Sequence, residues 1–145
     1  MTSPLISVVI PVYKAESCLD ELYLRLKNAL ETISESFEIV LVEDCGGDTS
    51  WDVIERLALA DPRVRGMQFS RNFGQHYGIT AGLDICQGAW VVVMDCDLQD
   101  RPEEIPRLYS KAIEGYDIVL ARRGARRDPP MKRVFSWLFY KVFSY

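Results

Sequence analysis

Short β-branched runs alternate with segments of helical spacing along this chain, and this alternation is the feature that most constrains its fold. Between the runs, apolar residues recur every three or four positions, as in residues 18–33, which is the period of a helix with one buried face. Strands that alternate with helices over short connections pair in parallel and are covered by those helices. The sequence therefore predicts an α/β fold with a mostly parallel sheet, its strands at residues 6–12, 37–42, 64–69, 90–94 and 118–121.

Local signals add detail to this prediction. The run at residues 90–94 is apolar throughout, which is typical of a central strand buried on both faces. Ser17, and then Thr49 or Ser50, are the expected helix N-caps. Pro102 suits the first turn of a helix that reaches residue 113. Residues 131–145 have the pattern of a final amphipathic helix.

Composition indicates one globular domain. The chain has 145 residues, of which 48% are hydrophobic and 26% charged, values that suit a single folded core. Its four cysteines form no C-x-x-C pair, which excludes the usual zinc-ribbon and redox motifs and favours a reducing compartment. The start of the sequence has no pattern of a secretory signal, and no apolar run is long enough to span a bilayer.

Charge is distributed unevenly along the chain. Residues 122–145 carry seven Lys or Arg residues against one Asp, so the remainder has a formal net charge of −10 within a total of −4. An acidic body suits a bound cation, while a basic tail rich in aromatic residues suits phosphate or an anionic membrane surface. The tail is expected either to lie on a membrane or to pack on the sheet.

The loops after the predicted strands hold the candidate functional residues. Ligands of parallel α/β sheets bind beyond the carboxyl ends of the strands, which are here the loops at residues 12–16, 43–48 and 95–100. Asp95 and Asp97 are one residue apart after an apolar strand, and their hard oxygen ligands suit Mg²⁺ or Mn²⁺. A bound ion there would neutralise a diphosphate. The alternative is a pair of solvated loop aspartates.

Other polar residues in these loops have two interpretations each. Asp44 is predicted to accept hydrogen bonds from a base or ribose, and Asp48 to belong to a turn with a helix cap. Tyr13 can stack on a nucleobase or pack against its neighbours. Arg71 can contact phosphate or pair with a surface acid, and the arginines of residues 122–127 can form an anion site or a solvated loop.

Four motifs occur in a fixed order along the chain: Val8-Val9-Ile10-Pro11-Val12-Tyr13, Glu43-Asp44, Arg71-Asn72-Phe73-Gly74-Gln75-His76 and Asp95-Cys96-Asp97-Leu98-Gln99-Asp100. This order resembles that of family 2 glycosyltransferases, and in particular the bacterial polyprenyl-phosphate sugar transferases related to dolichol-phosphate mannose synthase. The resemblance covers nearly the whole chain. Cys96 stands where the family usually has Ala, and Arg101 where Pro is common, but neither change removes a carboxylate.

The resemblance implies a GT-A fold and a residue set for each role. The donor nucleotide-sugar would be bound by Pro11, Tyr13, Glu16, Asp44, Arg71, Gln75, Asp95 and Cys96. The metal ligands would be Asp95 and Asp97, and the acceptor phosphate would meet Arg123 and Arg126. The catalytic set would be Asp97, Gln99, Asp100 and Asp128.

The same resemblance implies the activity. It is inverting, metal-dependent transfer of a sugar from UDP-sugar or GDP-sugar to a polyprenyl phosphate at the cytoplasmic face of a bacterial plasma membrane. Residues 1–130 would form the donor-binding domain and residues 131–145 the membrane-contacting helix. Family members continue further, so a C-terminally truncated chain is expected. The candidate partners would be the donor, the lipid, the membrane surface and a second copy of the chain, with no nucleic acid.

Three other functions remain open from the sequence. The chain can be a donor-binding module without turnover, or a family 2 transferase that uses a saccharide acceptor in polysaccharide or cell-wall synthesis. It can also be a doubly wound nucleotide-binding or regulatory domain. The absence of a Walker A motif, and of G-x-G-x-x-G after the first strand, counts against the common forms of that last class.

Overall fold

A computed structural model describes residues 3–121 and contains the predicted alternation of strands and helices. The strands are β1 (Ile6–Val12), β2 (Phe37–Glu43), β3 (Val64–Gln68) and β4 (Trp90–Val93). The helices are α1 (Leu19–Glu31), α2 (Ser50–Ala60), α3 (Gln75–Ile85) and α4 (Ile105–Ala112). A 3₁₀ turn at Pro102–Glu104 precedes α4, so Pro102 does begin the helical segment as predicted.

The four strands form one parallel sheet in the order β3-β2-β1-β4. Ile6 of β1 is in register with Phe37 of β2 on one side and with Trp90 of β4 on the other. All seven residues of β1 are buried, as expected for a strand with a neighbour on each side and helices on each face. The predicted α/β class with a parallel sheet is confirmed.

Successive residues of β1 supply the two faces of the core. Val8 and Ile10 belong to the larger cluster, which α1 and α2 cover, while Val9 packs in a smaller cluster beneath α3. Helix α3 lies very close to the sheet because glycines face it. A Cβ added at Gly82 would overlap the side chain of Val9, and one added at Gly78 would lie 3.2 Å from Pro11 Cβ.

Two predictions about strands are wrong. In the described residues β4 is an edge strand and not a central one, with Val91 42% and Val93 47% exposed. Residues 118–121 form no strand, and Ile118 and Leu120 are exposed. Both segments line a cavity of about 860 Å³, and among the described residues no ladder of hydrogen bonds joins them.

The N-cap of α1 differs from the prediction, whereas that of α2 agrees with it. Cys18, not Ser17, occupies the N-cap of α1, and its side chain makes no capping hydrogen bond. Thr49 does occupy the N-cap of α2, but its hydroxyl donates to the carboxylate of Glu16. Among residues 3–121 no helix is long and apolar enough to cross a membrane. The predicted helix at 131–145 lies outside the described residues.

We predict that Gly82→Ala destabilises the fold by about 1–3 kcal/mol, the range usual for overpacking. At an open helical position the same change would stabilise by up to about 1 kcal/mol, so overlap with Val9 decides the sign. Gly78→Ala is expected to cost less, because Pro11 can move by a few tenths of an ångström. Urea unfolding followed by circular dichroism measures both, and equal midpoints for the two variants would contradict this prediction.

A buried carboxylate gives a second prediction. Asp61 accepts hydrogen bonds from the Arg63 guanidinium, and these, opposed by burial and helped by the Arg63 backbone N–H and the Tyr23 hydroxyl, hold the pKa of Asp61 well below its usual range. A lowered folded-state pKa contributes stability at neutral pH that is lost as pH falls below about 4. Asp61→Asn should therefore lower the unfolding free energy by about 2 kcal/mol at pH 7. As the pH falls, the unfolding free energy of this variant should decrease less than that of wild type.

Urea midpoints between pH 2.5 and pH 7 measure this difference. Asp84→Asn is the matched control, because Asp84 is exposed on α3. An Asp61→Asn curve parallel to that of wild type throughout the acid range would refute the assignment.

Candidate functional site

A cavity of about 340 Å³ lies at the carboxyl ends of the strands, and its wall is formed by the end of β1 and by the segments that follow each of the four strands. The lining residues are Pro11, Val12, Tyr13, Asp44, Asn72, Gly74, Gln75, Asp95, Cys96 and Asp97. The chain builds β2 and β3 on one side of β1 and then places β4 on the other. Connections leave in opposite directions at such a switch point, and the crevice between them is where doubly wound sheets bind ligands.

Buried side chains join the loops that follow β1, β2 and β3. The Ser50 hydroxyl accepts a hydrogen bond from the backbone N–H of Ala15 at 3.0 Å, which ties the first loop to the start of α2. The buried carboxylate of Asp44 accepts from the backbone N–H groups of Phe73 and Gly74 at 2.7 and 2.8 Å. These bonds satisfy loop N–H groups that no strand can pair.

The remaining contacts close the circle around the cavity. The Gln75 side-chain amide donates to Asp95 at 2.5 Å, which links the loop after β3 to the loop after β4. The Cys18 thiol donates to the carbonyl oxygen of Cys96 at 3.1 Å, which links the loop after β4 back to the start of α1. Hydrogen bonds therefore connect all four strand-end loops to one another.

Three of these loops contain a residue other than glycine in the left-handed region of backbone space. They are Lys14 (φ 51°), Cys45 (φ 53°) and Leu98 (φ 62°), which follow β1, β2 and β4. Such a conformation costs an L-residue roughly 1–2 kcal/mol. Backbone strain of this kind clusters at ligand-binding sites, where the surrounding structure holds it in place.

The charge on the cavity wall is acidic. Within residues 3–121, its lining includes the carboxylates of Asp44, Asp95 and Asp97 and no lysine or arginine. Asp44 is buried, Asp95 is half-buried and Asp97 is exposed. Burial raises the pKa of the Cys96 thiol between them, so this group stays protonated and uncharged at neutral pH. The wall favours a cation or a ligand that brings one.

A divalent cation fits this set of donors only with help from a ligand. Among residues 3–121 no group of three or more His, Cys, Asp or Glu side chains lies close enough to hold a metal ion. Mg²⁺ is usually held by one or two carboxylates together with substrate phosphates and water. Asp95 and Asp97 are two such carboxylates on one wall, so the residues present suit an ion that arrives with a phosphate ligand.

The structure brings most of the predicted donor-binding residues and both predicted metal ligands together. Those that line the cavity are Pro11, Tyr13, Gln75, Asp44, Asp95, Cys96 and Asp97. Their contacts with a ligand remain predictions. Asn72 and Gly74 also line the cavity, although the sequence analysis gave neither a site role within the motif at residues 71–76. The signal for Gly74 is its place before a helix, where its φ of 99° requires glycine.

Other predicted residues lie elsewhere. The Glu16 carboxylate accepts from the hydroxyl and the backbone N–H of Thr49, and these bonds lower its pKa. Arg71 stacks on the Phe73 ring at 4.8 Å and does not line the cavity. Gln99 and Asp100 line the larger cavity beside β4. Arg123, Arg126 and Asp128 lie outside the residues that the structure describes.

The chain is similar to known proteins over most of its length. A family model described as "Glycosyl transferase family 2" matches residues 7–144. The uncharacterized glycosyltransferase YkcC of Bacillus subtilis (strain 168) is 41% identical over 139 residues, which cover 95% of this chain and 43% of that protein. An undecaprenyl-phosphate 4-deoxy-4-formamido-L-arabinose transferase of Pseudomonas syringae pv. syringae (strain B728a) is 45% identical over 129 residues, or 88% of this chain and 38% of that protein.

Solved structures share the architecture. S. aureus TarS 1-349 in complex with UDP superposes with a TM-score of 0.62 at 21% identity, covering 87% of this chain and 38% of TarS 1-349. The mannosyltransferase PcManGT from Pyrobaculum calidifontis, in complex with GDP-Man and Mn²⁺, gives a TM-score of 0.59 at 19% identity, covering 67% and 28%. These likenesses confirm the predicted GT-A fold. The chain spans less than half the length of the relatives and structures described here.

The contacts of Asp44 give a prediction about loop order. Asp44→Asn replaces one carboxylate oxygen by an NH₂ group, which cannot accept from the backbone N–H that it faces. We expect a loss of about 1–3 kcal/mol in unfolding free energy, and faster hydrogen exchange at Phe73 and Gly74. Asp84→Asn again serves as control. Unchanged exchange at both amides would show that Asp44 does not hold this loop.

Proposed function

Because this chain belongs to glycosyl transferase family 2, we propose that its strand-end cavity binds a nucleotide-diphosphate sugar and that the full protein transfers the sugar to a polyprenyl phosphate. The observation that carries the proposal is the acidic cavity at the switch point, with Asp95 and Asp97 at the end of β4. The acceptor class is supported by the name of the P. syringae relative, an undecaprenyl-phosphate transferase.

The cavity residues suggest how a donor would be held. The Tyr13 ring is 49% exposed on the cavity wall and offers a face on which a nucleobase can stack. Asp44 retains lone pairs beyond the two hydrogen bonds that it accepts, so it can also accept from a base. Asp95 and Asp97 would hold Mg²⁺ or Mn²⁺ with the diphosphate. When bound, that ion stabilises the negative charge of the leaving nucleoside diphosphate.

The transfer reaction does not require a strong general base. An oxygen of the acceptor phosphate attacks the anomeric carbon, the bond from that carbon to the diphosphate breaks, and the configuration inverts. The electron pair leaves with the nucleoside diphosphate. Because a phosphate acceptor is already anionic, it needs little deprotonation. Gln99 and Asp100 would lie near the sugar, and Arg123, Arg126 and Asp128 near the acceptor phosphate.

The basic tail suggests where the reaction occurs. Residues 131–145 combine lysine and arginine with aromatic residues, the composition of a helix that lies at a membrane interface. We assign this segment to the cytoplasmic face of a bacterial membrane, where a lipid phosphate would meet the cavity. Vesicles with anionic lipid should retain the protein, and retention should fall with added salt. Retention equal to that on neutral vesicles would contradict the assignment.

Calorimetric titration tests the donor site directly. UDP and GDP are each titrated with and without Mn²⁺ into wild type, Asp97→Ala and the control Asp84→Ala. We expect Mn²⁺ to increase the affinity for one nucleotide, and Asp97→Ala to reduce that affinity at least about tenfold. If the wild-type protein bound neither nucleotide in the presence of Mn²⁺, that result would contradict the proposal.

A transfer assay then separates an enzyme from a binding module. Labelled sugar should move from the nucleotide that binds to a polyprenyl phosphate, and a saccharide acceptor is tested in parallel. Labelling of the saccharide alone would identify the acceptor as a sugar. Binding without transfer to either acceptor would identify this chain as a donor-binding module.

A further inference from the structure

The side chain of Gln75 forms a hydrogen bond with Asp95, another residue of the cavity wall. Gln75 is the first residue of α3, and its side-chain NH₂ donates to Asp95 Oδ1 at 2.5 Å. A carboxylate can only accept, so the amide presents its nitrogen to Asp95. One oxygen of Asp95 is thereby fixed from outside the loop to which Asp95 belongs.

Three independent features place Gln75 beside Asp95. Gly74, with φ 99°, turns the chain into α3 through a conformation that other residues rarely adopt. Asp44 accepts from the N–H groups of Phe73 and Gly74, which fixes the loop immediately before the helix. The close packing of α3 on β1 at Gly78 and Gly82, described above, fixes the position of the helix.

The chemistry of the amide matters as much as its position. Asp44, Asp95 and Asp97 place three carboxylates on one small cavity. A lysine or arginine partner would orient Asp95 too, but its charge would compete with a cation for the same oxygen. A neutral amide orients the carboxylate and leaves its charge available.

We propose that Gln75 is a positioning residue: it holds the Asp95 carboxylate so that this group and Asp97 can act together on the metal-bound diphosphate. This inference rests on the proposed function. It assigns Gln75 a role through Asp95 and not through direct contact with the nucleotide. Asp44, by fixing the loop before α3, contributes to the same positioning from 31 residues away in sequence.

A double-mutant cycle on the 145-residue chain tests the inference. Gln75→Met keeps the length of the side chain but removes the donor, and Gln75→Ala removes the same group by truncation. Each is combined with Asp95→Ala. His76→Ala is the matched control, because His76 is exposed in the same helical turn and does not line the cavity. The measurements are the calorimetric affinities for UDP and GDP, with and without Mn²⁺, and the urea midpoint of each variant.

The expected result is specific to the metal. Gln75→Met should weaken binding about fivefold with Mn²⁺ present, the fold-change that corresponds to a net hydrogen-bond contribution of about 1 kcal/mol. Without Mn²⁺ its affinity should stay within about twofold of wild type. In the Asp95→Ala background the substitution should have no further effect, and Gln75→Ala should behave in the same way. Urea midpoints should remain close to that of wild type.

Other outcomes overturn the inference in distinguishable ways. A loss of equal size with and without Mn²⁺, or one that persists in Asp95→Ala, would mean that Gln75 contacts the nucleotide itself. Unchanged binding in Gln75→Met and Gln75→Ala would mean that Asp95 needs no such partner. Both results leave the proposed function intact. Wild type that binds neither nucleotide with Mn²⁺ would overturn the proposed function and this inference with it.

Discussion

The parallel pairing of β1 with β2 and β4 is the constraint on which the rest of the structure depends. Because both neighbours run in the same direction as β1, their carboxyl ends lie at the same edge of the sheet, where β2 ends opposite Val12 and β4 ends opposite Val9. The burial of every residue of β1 fixes this register, since a slip by one residue would exchange the two faces of the core. The cavity is therefore a consequence of how the core packs. The loops provide its chemistry, and the sheet provides its position.

Carboxylates perform two kinds of work at this edge of the sheet. Asp44 and Asp48 accept hydrogen bonds from backbone N–H groups of neighbouring loops, and Asp48 also accepts one from the N–H of Ser50; these bonds replace the pairing that the strands no longer supply. Asp95 and Asp97 each accept a hydrogen bond at Oδ1, from Gln75 and Gln99, and keep further lone pairs for a ligand of the cavity. The first group keeps the loops in place while the second remains available to a ligand. The left-handed residues Lys14, Cys45 and Leu98 lie in the same loops.

Sequence reasoning reached the features that depend on local pattern. The alternation of apolar runs and helical spacing predicted the parallel sheet, and the position of Asp95 and Asp97 after an apolar run placed them at a strand end. Two features could not be read locally. The exposure of β4 depends on which segment lies beside it, and residues 118–121 need a partner strand to become one. The two backbone N–H groups that donate to Asp44 belong to a loop about 30 residues later, so no local pattern shows that the two loops meet.

The cysteines of the strand-end loops have a practical consequence. Burial raises the pKa of the Cys18 and Cys96 thiols, which keeps them protonated and slow to react with alkylating reagents at neutral pH. Cys45 is the exposed one among the four cysteines and directly follows Asp44. A maleimide dye would therefore attach at Cys45 before Cys18 or Cys96, next to Asp44 of the cavity lining. Fluorescence from that position offers a way to follow ligand entry in real time without altering Asp95 or Asp97.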